Sequence, residues 1–458
     1  MKKTRSESRN LAARIVHEVT EKEAYTNLAL AKFLSESSLS REDKRLVTEM
    51  VNGTVRMLKH LDWVLNLFLS QNIDKQHPWI RTVLRISVYQ ILFMQKIPEY
   101  AIVNDAVELA QQKTNQALAR VVNGVLRNIL RNRDKIEYPV SNTVDYLSIY
   151  YSHPEWMVRK WLLEMDREEC EKILIYNNSR PKVYLRTNVL KITRDKLIDM
   201  LEKEGIFCSS VFLTPWDIEV DDMQVSLEDT DLFQKGYFYI QNPASMLAAP
   251  ILNPQPGETI YDLCCGVGGK STHMAELMEN KGKIKAFDLY PRKLKLLEEN
   301  CHRLGIDIVE GEAADITLFS DMPKGNRVLL DAPCSGLGVL NRRSDLRWKK
   351  KEENIADLVS LQLKLLQKAA ELVEEGGILL YSTCTINKSE NEEVVTTFLK
   401  KRGDFILTSF AEKISFFLLD EKDRRAAESG MLTILPGKYR TDGMFYALMR
   451  RKKRDRDG

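Results

Sequence analysis

The sequence predicts a multidomain protein with an all-α domain over residues 1–140, a small α+β connector over 141–250 and an α/β domain with a mostly parallel sheet over 251–458. Three observations support this fold class. Apolar residues recur at helical spacing through the first part of the chain, strand and helix patterns mix in the middle, and strand–turn–helix units repeat in the last part. A chain of 458 residues is also long enough for two or three domains.

The composition excludes several protein classes. Hydrophobic residues make up 44% and charged residues 29%, which is typical of a soluble globular protein. The N-terminus lacks the apolar segment of a signal peptide, and no run reaches the roughly 18 apolar residues of a membrane span. Seven cysteines are too few and too irregular for a disulfide framework, and the six histidines do not cluster. We therefore expect a cytoplasmic protein with reduced thiols, no membrane contact and no metal site.

The N-terminal domain is predicted to be helical and basic. Its apolar residues follow i, i+3, i+4 spacing, and Pro98 breaks the pattern before a new helix begins. Residues 1–140 carry 22 Lys and Arg against 15 Asp and Glu, a net of +7 in a chain whose total is +3. Arg120, Arg127 and Arg131 fall at spacings of seven and four on one predicted helix. They form either an ordinary solvated face or a face that binds the phosphates of a nucleic acid.

The connector combines two kinds of element. "PKVYLRTN" is typical of a strand, and "RDKLIDMLEKEG" of a helix that ends at a glycine. "HPEWMVRKWLLEM" predicts a helix started by proline, and "GYFYIQNPASMLAAPIL" predicts a strand followed by a helix.

The C-terminal domain is predicted from alternating strands and helices. "ETIYDL", "GKIKAFDLY", "NRVLLDAPC" and "GGILLYSTCT" each precede a helical pattern, the third of them an amphipathic run from Asn354 to Glu375. Such alternation implies a parallel sheet covered by helices on both faces. "GMLTILPG" and "DGMFYALMRR" are predicted to close the chain as a strand pair.

A glycine-rich turn after the first strand marks the expected ligand site. Ligands in such sheets bind at the carboxyl ends of the strands, and Gly266, Gly268 and Gly269 would let the backbone approach a ligand closely. A P-loop fails because its first glycine position is Cys264. A dinucleotide-binding fingerprint matches at its first two glycines but not at the third, where this chain has Ser271. S-adenosylmethionine is the third possibility.

The acidic residue at the end of the second strand does not separate these cofactors, but two cysteines help to do so. Asp288 could bind the ribose of either S-adenosylmethionine or NAD. Cys334 and Cys384 end the fourth and fifth strands, so neighbouring strands would bring both thiols to one cleft. A buried cysteine is usually a small hydrophobic residue, and that explanation weakens when both lie at the same edge.

A reaction that requires a thiolate accounts for the cysteine pair. Carbon 5 of cytosine is a poor nucleophile until a thiolate adds to carbon 6, after which it can attack a methylsulfonium. Asp331 is the candidate for protonating or hydrogen-bonding the ring near nitrogen 3. A second thiol could assist the final elimination.

Four motifs resemble those of the RNA cytosine-C5 methyltransferases of the Sun/NOL/NSUN superfamily: "DAPCSG", "STCT", "DLCCGVGGKS" and "LPGKYRTDGMFYAL". "REDKRLVTEMVNGTVRMLKHLDW" and the later "ARVVNGVLRNIL" resemble the NusB-like domain, a combination found in the bacterial branch acting on small-subunit ribosomal RNA. The turn departs from the usual Cys-Ala-Ala-Pro-Gly-Gly-Lys, since Cys265, Gly266 and Val267 replace Ala-Ala-Pro.

The resemblance implies a NusB-like domain, a connector and a Rossmann-like methyltransferase domain that forms 5-methylcytidine in 16S ribosomal RNA. It implies that Cys384 is the nucleophile and that Cys334 helps to release the product. We also expect the protein to be a monomer. The expected cofactor pocket comprises Cys264, Gly266, Gly268, Gly269, Lys270, Asp288, Arg292, Asp315 and Asp331, and the expected RNA-binding residues are Arg120, Arg127 and Arg131. A non-catalytic RNA-binding or ribosome assembly factor and a nicotinamide oxidoreductase are the alternatives.

Overall fold

The chain folds into two compact units. The computed structural model describes residues 2–209, 211–319 and 322–453. The first unit comprises Met1–Arg180 and Leu340–Glu352, and the second comprises Pro181–Val339 and Glu353–Gly458. The division at Arg180 falls inside the segment predicted as a connector, because the helices that precede it pack with the first unit.

Helices form the whole of the first unit's N-terminal segment, as the apolar spacing predicts. They are α1 Lys2–Glu21, α2 Thr26–Ser35, α3 Arg41–Arg56, α4 Leu58–Phe68, α5 Pro78–Phe93, α6 Glu99–Lys113, α7 Gln116–Asn132, α8 Thr143–Tyr150, α9 Glu155–Glu164 and α10 Arg167–Asn178. Polar side chains cap several of them: Ser40 accepts from the Asp43 N–H, and Asn115 from the Leu118 N–H. Pro98 occupies the N-cap position of α6, which explains the break in the pattern.

The remaining helices follow in chain order. They are α11 Arg194–Lys203, α12 Asp231–Gln234, α13 Pro243–Met246, α14 Ala248–Leu252, α15 Gly269–Leu277, α16 Pro291–Leu304, α17 Leu346–Lys349, α18 Asn354–Glu371, α19 Glu392–Lys401 and α20 Glu421–Glu428. Helix α17 belongs to the first unit and the others to the second. No helix in the described stretches is both long and apolar enough to cross a membrane.

The second unit begins with a small antiparallel sheet. Its strands, in the order β2-β3-β1-β4, are β1 Val183–Thr187, β2 Ile206–Cys208, β3 Asp217–Met223 and β4 Phe238–Ile240. Helix α11 packs on this sheet through Leu197 and Leu201, which join Leu185, Ile218 and Phe238 in one apolar core. The predicted strands "PKVYLRTN" and "GYFYI" and the helix between them are confirmed.

A larger sheet carries the rest of the second unit. Its strands are β5 Thr259–Asp262, β6 Lys283–Asp288, β7 Val309–Ala313, β8 Gly325–Asp331, β9 Val373–Thr383, β10 Phe405–Leu407, β11 Met431–Ile434 and β12 Met444–Arg451. They run in the order β10-β12-β9-β8-β5-β6-β7, with β11 paired to β12. The five strands from β5 to β9 pair in parallel, and β12 pairs antiparallel with β9, β10 and β11, so the mostly parallel sheet and the terminal strand pair are confirmed.

The amphipathic run predicted from Asn354 to Glu375 is wrong in its last residues. The helix ends at Glu371, and Val373 starts β9 because it pairs with Gly325 of β8. Buried Val373 fits an apolar helix face and an apolar strand equally well, so spacing alone did not separate them.

The strand order reverses beside β5, which lies between β6 and β8. The chain passes from β5 to β6 and β7 on one side, then to β8 and β9 on the other. In such sheets a crevice opens at the carboxyl ends of the strands where the order reverses. The loops after β5, β6, β8 and β9 therefore meet at one edge.

Candidate active site

Two thiols face each other at this edge of the sheet. Asp331 of β8 pairs with Ser382 of β9, so the residues that follow each strand lie side by side. The Sγ atoms of Cys334 and Cys384 are 3.3 Å apart, and both side chains are partly exposed. The prediction that the two cysteines share one cleft is confirmed. All seven cysteines, which lie in the described part of the chain, are free thiols.

The Cys334 thiol ionises less readily than an ordinary cysteine. The hydrogen bond with Cys384, followed by burial, raises the pKa of Cys334 well above its ordinary value. The negative charges of Cys384, Glu390 and Asp331 act in the same direction. Cys334 therefore keeps its proton at neutral pH.

An ion pair lies beside the thiols. Lys270 Nζ donates to Asp331 Oδ2 at 2.6 Å, and Ser382 Oγ donates to Asp331 Oδ1 at 2.8 Å. Burial lowers the pKa of Lys270, but the Asp331 carboxylate outweighs burial and leaves that pKa raised. Lys270 thus stays protonated and fixes the Asp331 carboxylate between two donors.

The glycine-rich turn joins β5 to α15 in a conformation that requires glycine. Gly266 has φ +58° and Gly268 φ +90°, both in the left-handed region. A Cβ on Gly268 would lie 2.2 Å from Leu297 Cδ1, whereas one on Gly266 would meet no heavy atom within 4 Å. The backbone at Gly266 therefore borders open space in which a ligand can approach it. Gly269 opens α15 without a left-handed φ.

Asp288, at the carboxyl end of β6, is connected to this turn. The Gly266 N–H donates to its Oδ2 at 3.1 Å, and the Tyr290 N–H donates to its Oδ1 at 3.0 Å. Lys293 Nζ contacts both carboxylate oxygens, and its own side chain is 43% exposed. The carboxylate is therefore held at the border of the open space in front of Gly266.

A second acid lies deeper, at the end of β5. Asp262 accepts from Ser271 Oγ at 2.6 Å, and burial raises its pKa to about 7. Burial also raises the pKa values of Cys264 and Cys265, so both keep their protons at neutral pH. Ser271 stands where a dinucleotide fingerprint would have glycine, and here it binds an acid of the preceding strand.

Comparisons with known proteins identify the domains one by one. The 16S rRNA methyltransferase RsmB/F family profile matches residues 249–450, the NusB family profile 6–131, and that of the RsmF/B-like ferredoxin-like domain 153–225. The probable ribosomal RNA small subunit methyltransferase B of Bacillus subtilis is 38% identical over 99% of this chain and 100% of its own length. The chain belongs to the ribosomal RNA small subunit methyltransferase B family.

A second relative and two solved structures support this family assignment. The probable ribosomal RNA small subunit methyltransferase B of Synechocystis is 34% identical over 97% of this chain and 99% of its own. The crystal structure of PH0851 has a TM-score of 0.79 at 27% identity, covering 96% of this chain and 98% of that one. NSun6 from Pyrococcus horikoshii has a TM-score of 0.58 at 25% identity, covering 66% and 98%. The fold class predicted for this chain is thereby confirmed.

The structure separates the predicted cofactor residues into two groups. Gly266 with Asp288, and Lys270 with Asp331, are in direct contact. Three others stand apart from these contacts: Cys264 packs against an apolar cluster, Asp315 is exposed and accepts from the Thr317 N–H, and Arg292 is exposed. Lys293 rather than Arg292 forms the ion pair with Asp288. The cofactor roles of all nine residues stay predictions.

The arginines predicted to bind RNA share one exposed face of α7. Spacings of seven and four residues bring Arg120, Arg127 and Arg131 to the same side of a helix, and each of them is exposed. The opposite side is apolar and buried, with Val122 and Leu126 in the core of the first unit.

Sequence reasoning missed a buried arginine that holds the start of α15. Arg186 of β1 donates to the Gly269 carbonyl at 2.6 Å and to Thr272 Oγ1 at 2.9 Å, and it ion-pairs with Glu276. Both partners of that pair have no exposed side-chain surface. A charged residue in a strand otherwise predicted to be buried was the available signal, since a buried charge requires a partner.

Within the stretches 2–209, 211–319 and 322–453, no set of three or more His, Cys, Asp and Glu side chains is arranged to hold an ion.

Proposed function

We propose that this chain methylates carbon 5 of a cytidine in small-subunit (16S) ribosomal RNA, with S-adenosylmethionine as the methyl donor and Cys384 as the covalent nucleophile. The observation that carries the proposal is the pair of thiols 3.3 Å apart, beside an Asp331–Lys270 ion pair. The proposed reaction uses one thiolate, which we assign to Cys384, and one protonated thiol, Cys334.

The proposed reaction divides into addition, methyl transfer and elimination. The Cys384 thiolate forms a bond to carbon 6, and the electron pair of the carbon 5–carbon 6 double bond becomes available at carbon 5. Carbon 5 then takes the methyl group, and the sulfonium donor would leave as a neutral thioether that keeps the electron pair of the broken carbon–sulfur bond. Water at the partly exposed cleft then takes the proton from carbon 5, the electron pair of that C–H bond restores the double bond, and Cys384 leaves as a thiolate. Cys334 lies within hydrogen-bonding distance of the departing sulfur, which supports its assignment to this last stage.

We assign to Asp331 the hydrogen bond to the polar edge of the base near nitrogen 3. Its carboxylate accepts from Lys270, which holds a proton one hydrogen bond away from the base. As charge develops on the ring during addition, fixed donors in a partly buried site stabilise it without reorganisation.

The residues around the glycine turn fit S-adenosylmethionine. Open space lies in front of Gly266, and Asp288 offers carboxylate oxygens for the ribose hydroxyls beside it. When bound, this cofactor supplies a methyl group on a positively charged sulfur. The structural relative NSun6 was solved with SFG, an analogue of S-adenosylmethionine, which supports the same use here. Gly266, Gly268, Gly269 and Asp288 would hold it.

We infer that the NusB-like first unit binds the ribosomal RNA through α7. The support is its exposed arginine face together with the +7 balance of residues 1–140. Arginine side chains that neutralise phosphates release counterions, which gives affinity without sequence preference.

Mapping of 5-methylcytidine tests the proposal directly. We expect one cytidine of 16S ribosomal RNA to be methylated in cells that carry the gene and unmethylated in cells that lack it. Wild-type chain supplied in trans should restore the modification, and Cys384→Ala should not. Unchanged 5-methylcytidine in the deletion strain would contradict the proposal, as would a tight complex of the purified chain with NAD.

A further inference from the structure

A carboxylate lies between the two cysteine loops. Glu390 ends a 3-10 turn, Lys388–Glu390, just after Cys384 in the chain, and its side chain is fully buried. No lysine, arginine or histidine of the described residues forms an ion pair with it. A buried carboxylate without a counterion is costly unless hydrogen bonds satisfy its oxygens.

Hydrogen bonds from both loops satisfy this carboxylate. On the Cys334 side, the Ser335 N–H donates to Oε1 at 2.8 Å and the Ser335 hydroxyl to Oε2. On the Cys384 side, Asn387 Nδ2 donates to Oε2 at 3.0 Å. Gln362 of α18 donates to Oε1 at 3.1 Å and also to the Pro333 carbonyl at 2.9 Å. The carboxylate thus binds residues of both cysteine loops.

Two direct contacts complete the connection between the loops. Ser335 Oγ lies 2.8 Å from Thr385 Oγ1, and the Gly338 N–H donates to the Cys384 carbonyl at 3.0 Å. Ser335 and Thr385 each directly follow one of the cysteines. The spacing of the thiols therefore depends on residues that do not touch the cleft themselves.

We propose that Glu390 is a positioning residue that, by binding both cysteine loops, fixes the separation of the Cys334 and Cys384 thiols. Its negative charge acts on the same pair and opposes ionisation of Cys334. The expected effect of Glu390 on catalysis rests on the proposed function, whereas its hydrogen bonds to the two cysteine loops do not. The titratable groups that face the thiol pair are Glu390, Asp331, Tyr381 and, toward Cys384, Lys270.

The test substitutes Glu390→Gln, which keeps the shape but removes the charge and places an amide N–H₂ against other donors. The pH dependence of thiol alkylation by iodoacetamide is followed at Cys334 and Cys384 by peptide mass spectrometry on the full chain. In wild type, Cys384 should be alkylated at lower pH than Cys334. In the variant, the Cys334 profile should move to lower pH by roughly one unit, because a like charge nearby is removed.

The same variant should lower the single-turnover methylation rate roughly 10- to 100-fold, the effect of losing a hydrogen bond to a charged group. Affinity for S-adenosylmethionine should be unchanged. The matched control is Glu393→Gln, an exposed acid of the same segment, which should behave as wild type in both assays.

The outcomes of the two assays separate the inference from the proposed function. Thiol alkylation needs neither RNA nor methyl donor, so a wild-type chain that methylates no cytidine counts against the proposed function alone. An unchanged Cys334 profile together with a wild-type rate would overturn the role of Glu390. If Glu390→Gln does not fold, Ser335→Ala removes one donor to Glu390, and wild-type behaviour in both assays would overturn the role equally.

Discussion

Asp288 shows how one side chain can serve both the fold and a ligand. Its carboxylate is 7% exposed, accepts from two backbone N–H groups and pairs with Lys293, whose side chain is far more exposed. The backbone donors fix the carboxylate at the end of β6, while an exposed lysine is the partner that a ribose could replace.

Asp288→Ala should weaken binding of S-adenosylmethionine roughly 10- to 150-fold. A hydrogen bond to a charged acceptor is worth about 1.5–3 kcal/mol, and the substitution removes that acceptor from the ribose. Titration calorimetry measures the change. Glu299→Ala, which removes an exposed acid from α16, is the control and should leave affinity unaltered. Unaltered affinity in Asp288→Ala would place the cofactor elsewhere.

Residue types at this site could be predicted from the sequence because the chemistry limits them to few choices. Cys334, Cys384, Asp331 and the glycines stand at the ends of apolar runs, where a strand must stop. Glu390 could not be predicted, because nothing in "SENEEVV" shows which of its acids is buried. Its role depends on Ser335, which lies 55 residues earlier in the chain.

Contacts between elements explain why the glycine turn stays in place. Helix α15 starts at the turn, and Arg186 from β1 of the small sheet donates to the first carbonyl of that helix. The pattern of β1 predicted a strand correctly. It could not predict that its arginine pairs with Glu276 of α15, since the two residues are 90 positions apart.

Arg186→Met should lower the free energy of unfolding by about 3–5 kcal/mol, because it leaves the Glu276 carboxylate buried without a counterion. Denaturation in guanidinium chloride measures the decrease. The double variant Arg186→Met, Glu276→Leu should be more stable than the single one, since no unpaired charge is left. Lys281→Met, which breaks an exposed ion pair with Glu279, is the control and should change stability little. A double variant less stable than Arg186→Met would contradict this account of the pair.

At the scale of the whole molecule, one late segment of the chain folds as part of the unit that is formed mainly by the N-terminal residues. Leu340–Glu352 comes after the Cys334 loop but belongs to the first unit, where Arg347 is fully buried. Its guanidinium donates to the carbonyls of Ser152 and Asn177 at 3.0 Å. Local spacing predicted the helices of both units well. Local spacing could not predict that Leu340–Glu352 packs with the first unit, because the hydrogen bond between Arg347 and Ser152 joins residues 195 positions apart.

Charge is also distributed unevenly over the whole chain, with the positive excess in residues 1–140. Reversal of Arg120, Arg127 and Arg131 to Glu should weaken binding of ribosomal RNA and lower the log–log salt slope by about 0.7–0.9 for each phosphate that the helix no longer neutralises. Affinity for S-adenosylmethionine should not change. Reversal of the exposed Arg41, Lys96 and Arg167 is the charge-matched control. Equal salt slopes in the two triple variants would show that α7 has no special role.

The separate roles of the two thiols are the central claim, and a denaturing gel of the cysteine variants with RNA and S-adenosylmethionine tests it most directly. Cys334→Ala leaves attack intact but hinders elimination, so a methylated RNA–protein adduct should accumulate as a shifted band. Adding Cys384→Ala should abolish that band, because no thiolate then bonds to carbon 6. An adduct trapped by Cys384→Ala alone, or full activity in either single variant, would contradict the account.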